Sequence, residues 1–290
     1  MTDRATGGAA KQSAVIDWLK LLAGLAATFG WVSFGQKLGD TITLEDPAAA
    51  TALFYGLLFL PLILLTVVLG YLEHRPVMRI GERPGRWLLI GLLAGTCGLL
   101  LTFAYAWLNG AVVTGEMARA GMMSILLGMV LTLLQTGTEE LLFRGWLQPA
   151  LVDRLGALVG VALGAVLFTV FHLTAGVRAP LSLINVTLAG VLFGLLALRS
   201  GGILAPIAAH FTWNAIEDLA LGLVPNPGNG TLGSLFDYDL LGGALWGGQE
   251  EGLSASIGTT AVLLALILPL LRSGKARVAS QEQAAQVPMS

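Results

Sequence analysis

The sequence predicts an all-α polytopic membrane protein of eight transmembrane helices in a single domain. Hydrophobic residues make up 55% of the 290 and charged residues only 12%, with a mean hydropathy of +0.78. The apolar residues gather in runs close to the roughly 20 residues that a helix needs to cross a hydrocarbon core about 30 Å thick. A soluble core is thereby nearly excluded. The charges are close to balance, 16 basic against 18 acidic, with no long basic run, so nucleic-acid binding has no support. The single cysteine, Cys97, leaves no partner for an intrachain disulfide and no cysteine zinc cluster.

Residues 1–14 are rich in Gly, Ala, Ser and Lys and are expected to be a disordered cytoplasmic N-terminus. The first apolar run carries Asp17 and Lys20 near its start and shows no small-residue cleavage site, so it reads as a retained anchor. The transmembrane domain spans 15–273, with helices expected over 15–35, 49–72, 86–108, 121–143, 156–175, 181–199, 202–223 and 256–272. Asp46 followed by Pro47 suits the cap and first turn of the second helix. Pro61, Pro206 and Pro269 fall inside spans, where neighbouring helices re-satisfy freed carbonyls. Gly156, Gly160 and Gly164 step by four along the fifth helix, and the same stripe leads to Phe168 and His172, aiming that imidazole at a neighbouring helix. Gly190 and Gly194 repeat the spacing on the sixth. The tail, 274–290, is polar and is also expected to be disordered and cytoplasmic.

Lysine and arginine set the expected orientation. With the N-terminus inside, Arg4, Lys11, the Arg75/Arg79/Arg83/Arg86 loop, Arg154, Arg199, Arg272, Lys275 and Arg277 are cytoplasmic, and only Lys37, Arg119 and Arg178 are outside. Both termini are then cytoplasmic and the expected location is a cell membrane, the bacterial inner or plasma membrane. The longest loop, 224–255, lies outside with Asp237, Asp239, Glu250 and Glu251; it reads as a solvated connector, with a lid over the site as the alternative.

The stretch that demands a reason is Gly137-Thr138-Glu139-Glu140-Leu141-Leu142-Phe143-Arg144-Gly145, three ionisable side chains at the end of an otherwise apolar span. At about 100° per residue, Glu140 and Arg144 share one helical face and can pair, while Glu139 points elsewhere. Glu139 is thus the uncompensated carboxylate, suited to act as a general base on water. Two further pieces follow at helical spacing, Phe168-x-x-x-His172 and His210-x-x-x-Asn214.

The set Glu-Glu-x-x-x-Arg, Phe-x-x-x-His and His-x-x-x-Asn resembles the type II CAAX prenyl endopeptidases and their bacterial relatives, the CPBP or Abi family of intramembrane proteases. The resemblance covers roughly 120–220. It implies hydrolysis of a peptide bond in a membrane-associated protein or peptide, of the CAAX-type prenylated kind or another. Within it, Glu139 is assigned as the base that takes a proton from water, assisted by His172. His210 and Asn214 are assigned as donors to the oxyanion, with Glu140, Arg144 and Phe168 in supporting roles. Arg144 is also a candidate partner for a substrate carboxylate. The expected site is a cavity opening to the cytoplasmic side. No cofactor is favoured; the alternative is a zinc metalloprotease with Glu139, His172 and His210 as ligands, for which Asn214 is a poor donor and no His-Glu-x-x-His helix exists.

Each residue also has a plainer reading. A Glu-Glu pair at a helix end is usually solvated, and a buried membrane histidine is often a structural hydrogen-bonder. Gln135, Glu217, Asn185 and Asp218 read as structural polar residues, Trp146 and Trp213 as packing or interface residues. A non-catalytic membrane scaffold or chaperone of the same fold is the rival function, and a transporter comes third, without the paired broken helices that one would show. One geometric condition stands out. Glu139 and His210 fall towards the cytoplasmic third, whereas His172 lies about 24 Å past Gly156, so convergence requires the fifth helix to be strongly tilted or to begin above the membrane surface.

Overall fold

Eight helical runs built by these apolar stretches form the molecule, whose computed structural model describes residues 2–115, 120–225, 232–247 and 251–285. They are α1 (Thr2–Gly39), α2 (Pro47–Leu72), α3 (Pro84–Leu108), α4 (Met122–Glu140) continuing through a π-helical segment (Leu141–Leu147) into α5 (Gln148–Leu155), α6 (Ala157–Thr174), α7 (Pro180–Ser200), α8 (Leu204–Ala215) with a second π segment (Ile216–Leu221), and α9 (Ile257–Ala285). Among the described residues, six runs are long and apolar enough to span a membrane, including Met122–Leu155 as one 34-residue helix. The apolar part of α9, Ile257–Arg272, is shorter. The protein is an all-α polytopic membrane fold.

The expected caps and breaks are mostly where the sequence puts them. Asp46 accepts from the Ala48 amide at 3.0 Å and Pro47 opens α2. Pro206 falls in the first turn of α8 and not mid-span, where its missing N–H would have been an orphan anyway. The backbone is helical from Thr2 and as far as Ala285, so the first and last helices continue past the apolar spans into the terminal stretches. Neither stretch has a proline to stop the helix, and extending an existing helix avoids the cost of nucleation. Met1 and the last tail residues lie outside the described residues, as do Arg119 and Glu250.

Small residues decide which helices meet. Any Cβ on Gly95 would run into the Ala209 carbonyl and the Thr212 hydroxyl, and one on Gly91 into the Ala205 carbonyl, so α3 and α8 pack backbone to backbone. In the α6–α7 hairpin a Cβ on Gly190 would lie 2.9 Å from Ala165 Cα. The glycine stripe of α6 folds back on the preceding helix: Gly156 makes the turn at φ +81°, Gly160 packs on Val152 and Gly164 on Gln148. Phe168 then meets Phe143, ring centroids 5.1 Å apart.

Two polar faces close the bundle. On one, the loop 73–83 meets the α7–α8 turn through Ile203 N–H to Arg79 O and Glu82 N–H to Ser200 O, at 2.8 and 3.0 Å. Arg75 reaches Asp153 there, and Trp146 donates to Glu73 at 3.1 Å. On the other face lie the turns 40–46 and 175–179 and the long loop, where strands β1 (Val112–Thr114), β2 (Leu223–Val224) and β3 (Tyr238–Leu240) form a small sheet in the order β1-β3-β2. Asn185 ties α7 to that region, donating to Ser254 O and Ser256 O at 2.8 and 2.9 Å.

Candidate active site

The depth condition is met by the length of the fourth helix. It does not stop near residue 143 but runs to Leu155, and its Trp146 is already level with Glu73, one residue past the end of α2. The remaining nine residues carry the hairpin about 14 Å beyond α2 before Gly156 turns it back. α6 therefore starts beyond that level, and its long climb brings Phe168 opposite Phe143 and His172 opposite the Glu139 turn.

The π segment begins directly after Glu140, and the second begins two residues after Asn214. Such bulges mark places where a helix is held off its regular path by something it packs on, and they recur at functional sites. The obstacle in the first is visible: Gly145 lies so close to the loop 73–83 that a Cβ would sit 2.5 Å from Val77 O.

Glu140 is the centre of a buried network. Its Oε1 accepts from Arg144 Nη1 at 3.0 Å and from His210 Nδ1 at 2.9 Å, with Glu140 and Arg144 only 0% and 2% exposed. Arg144 Nη2 donates to Gly190 O at 3.0 Å, and its guanidinium lies over Phe168 at 4.5 Å, with Phe193 and Phe143 at 5.4 and 5.7 Å. His210 stacks on Phe193 at 4.8 Å. Full desolvation of an ion pair is costly unless it is offset by further hydrogen bonds. Here Glu140 Oε1 is shared by Arg144 and His210 and Arg144 also reaches Gly190, which ties α7 and α8 to α4, while Glu140 Oε2 has no hydrogen-bond partner. Glu140 thus holds His210 as well as Arg144, and Arg144 is engaged by Glu140 and by Gly190 O.

Phe168 stands between the two imidazoles, 4.4 Å from His172 and 6.0 Å from His210 between centroids. His172 Nδ1 lies 2.9 Å from Phe168 O; since a carbonyl only accepts, Nδ1 carries the proton and Nε2 is left with its lone pair when the ring is neutral. The two histidines line one cavity of about 90 Å³, together with Asn185, Trp213 and Thr259.

Glu139 faces away from that cavity. Gln135 Nε2 donates to its Oε1 at 3.3 Å, and Tyr55 donates to Gln135 Oε1 at 3.1 Å, while Glu139 Oε2 is buried with no hydrogen-bond partner. It lies in a cleft of about 660 Å³ whose walls include Phe54, Phe59 and Phe171 and which runs past Gln36 to Asp40 and Gly176. His172 and Arg144 remain within electrostatic reach of its carboxylate. The cleft does not run to the arginine face, as the sequence led us to expect. It ends at the C-terminal ends of α1 and α6, on the opposite face.

These motif elements lie on α4, α6 and α8, and a family comparison covers the same stretch. Residues 121–216 match the model of the Rce1-like type II CAAX prenyl endopeptidase family. Over that stretch, about a third of the chain, it is similar to the CAAX-protease (CPBP) family. No curated protein matches the chain. A CAAX-type family is one of intramembrane proteases acting on membrane-associated substrates.

The structure thus unites Glu140, Arg144, Phe168 and His210, sets His172 beside Phe168, and leaves Asn214 half-buried one turn along α8 from His210. For zinc, the donors do not converge: Glu139 opens on one cavity and the imidazoles on another, and among the described residues no three His, Cys, Asp or Glu side chains are placed to hold one ion. Gln135 and Tyr55 are contacts of Glu139; the i–4 spacing of Gln135 was visible in the sequence, Tyr55 was not. Trp146 is fully buried against Gly24, and Trp213 donates to Glu217 at the cavity wall.

Proposed function

We propose that this protein is an intramembrane endopeptidase in which Glu139 activates the water that attacks a peptide carbonyl. The observation that carries the reading is the unpartnered Oε2 of Glu139, which, unlike the equally unpartnered Oε2 of Glu140, belongs to a residue that lines a cleft of about 660 Å³. Gln135, held by Tyr55, fixes the other oxygen, so the free one is the proton acceptor. His172 presents Nε2 from the adjacent helix and assists in orienting the water. Attack forms a tetrahedral oxyanion, for which His210 and Asn214 are the donors. With Nδ1 committed to Glu140, His210 donates from Nε2 as the imidazolium, and Glu140 is its counter-charge. The proton taken by Glu139 then passes to the departing amine. Phe168 and Phe171 wall the two cavities apart, so the scissile bond would lie across their shared edge.

We place the arginine face in the cytoplasm, with both termini, because Arg75, Arg79, Arg83, Arg86, Arg154 and Arg199 all fall on it. The decisive measurement is cleavage of a panel of membrane-anchored reporter peptides, prenylated and not, by purified protein. Glu139→Gln should lower the rate by about 10²- to 10⁴-fold while the protein remains folded, and His210→Ala should lower it too. Activity that disappears with a chelator and returns with zinc would replace this mechanism with the metal one. A folded protein that cleaves nothing, and whose cellular role survives Glu139→Gln, would favour the scaffold.

A further inference from the structure

The cleft that reaches Glu139 and the arginine-rich loops lie on opposite faces of the bundle. Helix ends decide this. Loop 73–83, the Gly156 turn and the α7–α8 turn share one face, joined by the Arg79–Ile203, Ser200–Glu82 and Arg75–Asp153 contacts. The walls of the Glu139 cleft end instead at Gln36 and Gly39 of α1 with Asp40 just after it, and at Thr174 of α6 with Ala175 and Gly176 just after it, on the other face. Of the described basic side chains outside the core, Lys20, Arg75, Arg79, Arg83, Arg86, Arg154, Arg199 and Arg272 belong to the first face and only Lys37 and Arg178 to the second.

We infer that substrate reaches Glu139 from the non-cytoplasmic face, as an extended apolar segment of an exported or membrane-anchored polypeptide, and not as the C-terminus of a cytosolic prenylated protein. The lining supports the chemistry of that occupant. Val32, Phe54, Leu58, Phe59 and Phe171 make the inner walls apolar, so the residues next to the scissile bond are apolar. At the mouth stands Asp40, with Glu45 and Asp46 in the same turn and Glu251 on the neighbouring turn, against the cations Lys37 and Arg178 on that face. Such a mouth attracts neutral or basic flanking residues and repels a free chain-terminal carboxylate. The inference rests on the peptidase reading for its chemistry but not for its geometry.

The test separates the two. In a Cys97→Ser background, Asp40→Cys and Asp153→Cys are treated in intact cells with a membrane-impermeant maleimide. Asp40→Cys should label from outside, and Asp153→Cys only after permeabilisation; the inverse pattern, or labelling of both alike, overturns the inference. On purified protein, maleimide modification of Gln36→Cys should slow reporter cleavage at least tenfold, while modification of Asp153→Cys leaves it unchanged. Unchanged cleavage with Gln36→Cys fully modified also overturns it. A protein that labels as expected but cleaves no peptide would sink the peptidase reading and leave the side of approach standing; one that cleaves but labels the other way would do the reverse.

Discussion

Glu139 and Glu140 are adjacent in sequence and opposite in circumstance. Glu140 accepts from Arg144 and His210 through Oε1, whereas Glu139 accepts from the neutral Gln135 amide and lines the cleft; each keeps its Oε2 without a hydrogen-bond partner. Replacement of Arg144 by Met should therefore be far worse than its loss of charge suggests: it strands Glu140 in the core and should cost about 3–5 kcal/mol. The double change Glu140→Gln with Arg144→Met should recover part of that, read as the thermal midpoint of the purified protein in detergent. Removing the carbonyl clamp on Gln135 acts differently. Tyr55→Phe takes away one hydrogen bond, worth about 1 kcal/mol, and leaves the fold intact. It frees the Gln135 amide to turn, so the expected effect is a lower kcat with little change in stability.

At the scale of elements, the π segment and the α4–α6 hairpin matter most. Gly145 is required because the loop at Val77 occupies the space of a side chain. Gly145→Ala should destabilise by about 1–3 kcal/mol through overpacking and shift Arg144 off Gly190. Gly95→Leu should do worse, since the obstacle there is the backbone of α8, and backbone cannot turn aside; the measurement is the fraction of protein that remains monodisperse on mild heating. The helical spacing of the motifs let the Glu140–Arg144 pair be read from sequence. It did not reveal the bulge, because a π turn arises from what presses on the helix and leaves no periodic mark.

Over the whole molecule, the long loop is joined to the bundle by Glu251. Its Oε1 accepts from the amides of Arg178 and Ala179, at 2.7 and 2.8 Å, the unpaired donors ahead of Pro180 at the start of α7. Burial by itself would raise the pKa of this carboxyl, but the Ser182 hydroxyl, those two amides and the Arg178 charge outweigh it and hold the group below its usual range. A depressed folded value means that the contact contributes fully above the ordinary carboxylate range and is lost as pH falls through the folded value. Amide exchange in 232–247 and 251–256 should accordingly rise in acid. Glu251→Gln should raise it already at neutral pH and remove the acid dependence.

The sequence by itself determined that the chain is an all-α membrane protein, where most of its helices lie, and which three helices carry Glu139, His172 and His210. Those follow from run length, hydropathy and a spacing of four, all properties of local chain. It also fixed which ends of the helices carry arginine. The tertiary structure decided that α4 continues to Leu155 and so brings His172 to the depth of Glu139, that Glu140 and not solvent holds His210, and that the cleft over Glu139 leads to the face away from the arginines. Each depends on where one helix stops relative to another and on which side chains fill the gap between them. Such relations join residues as far apart as Tyr55 and Gln135, and no local pattern encodes them.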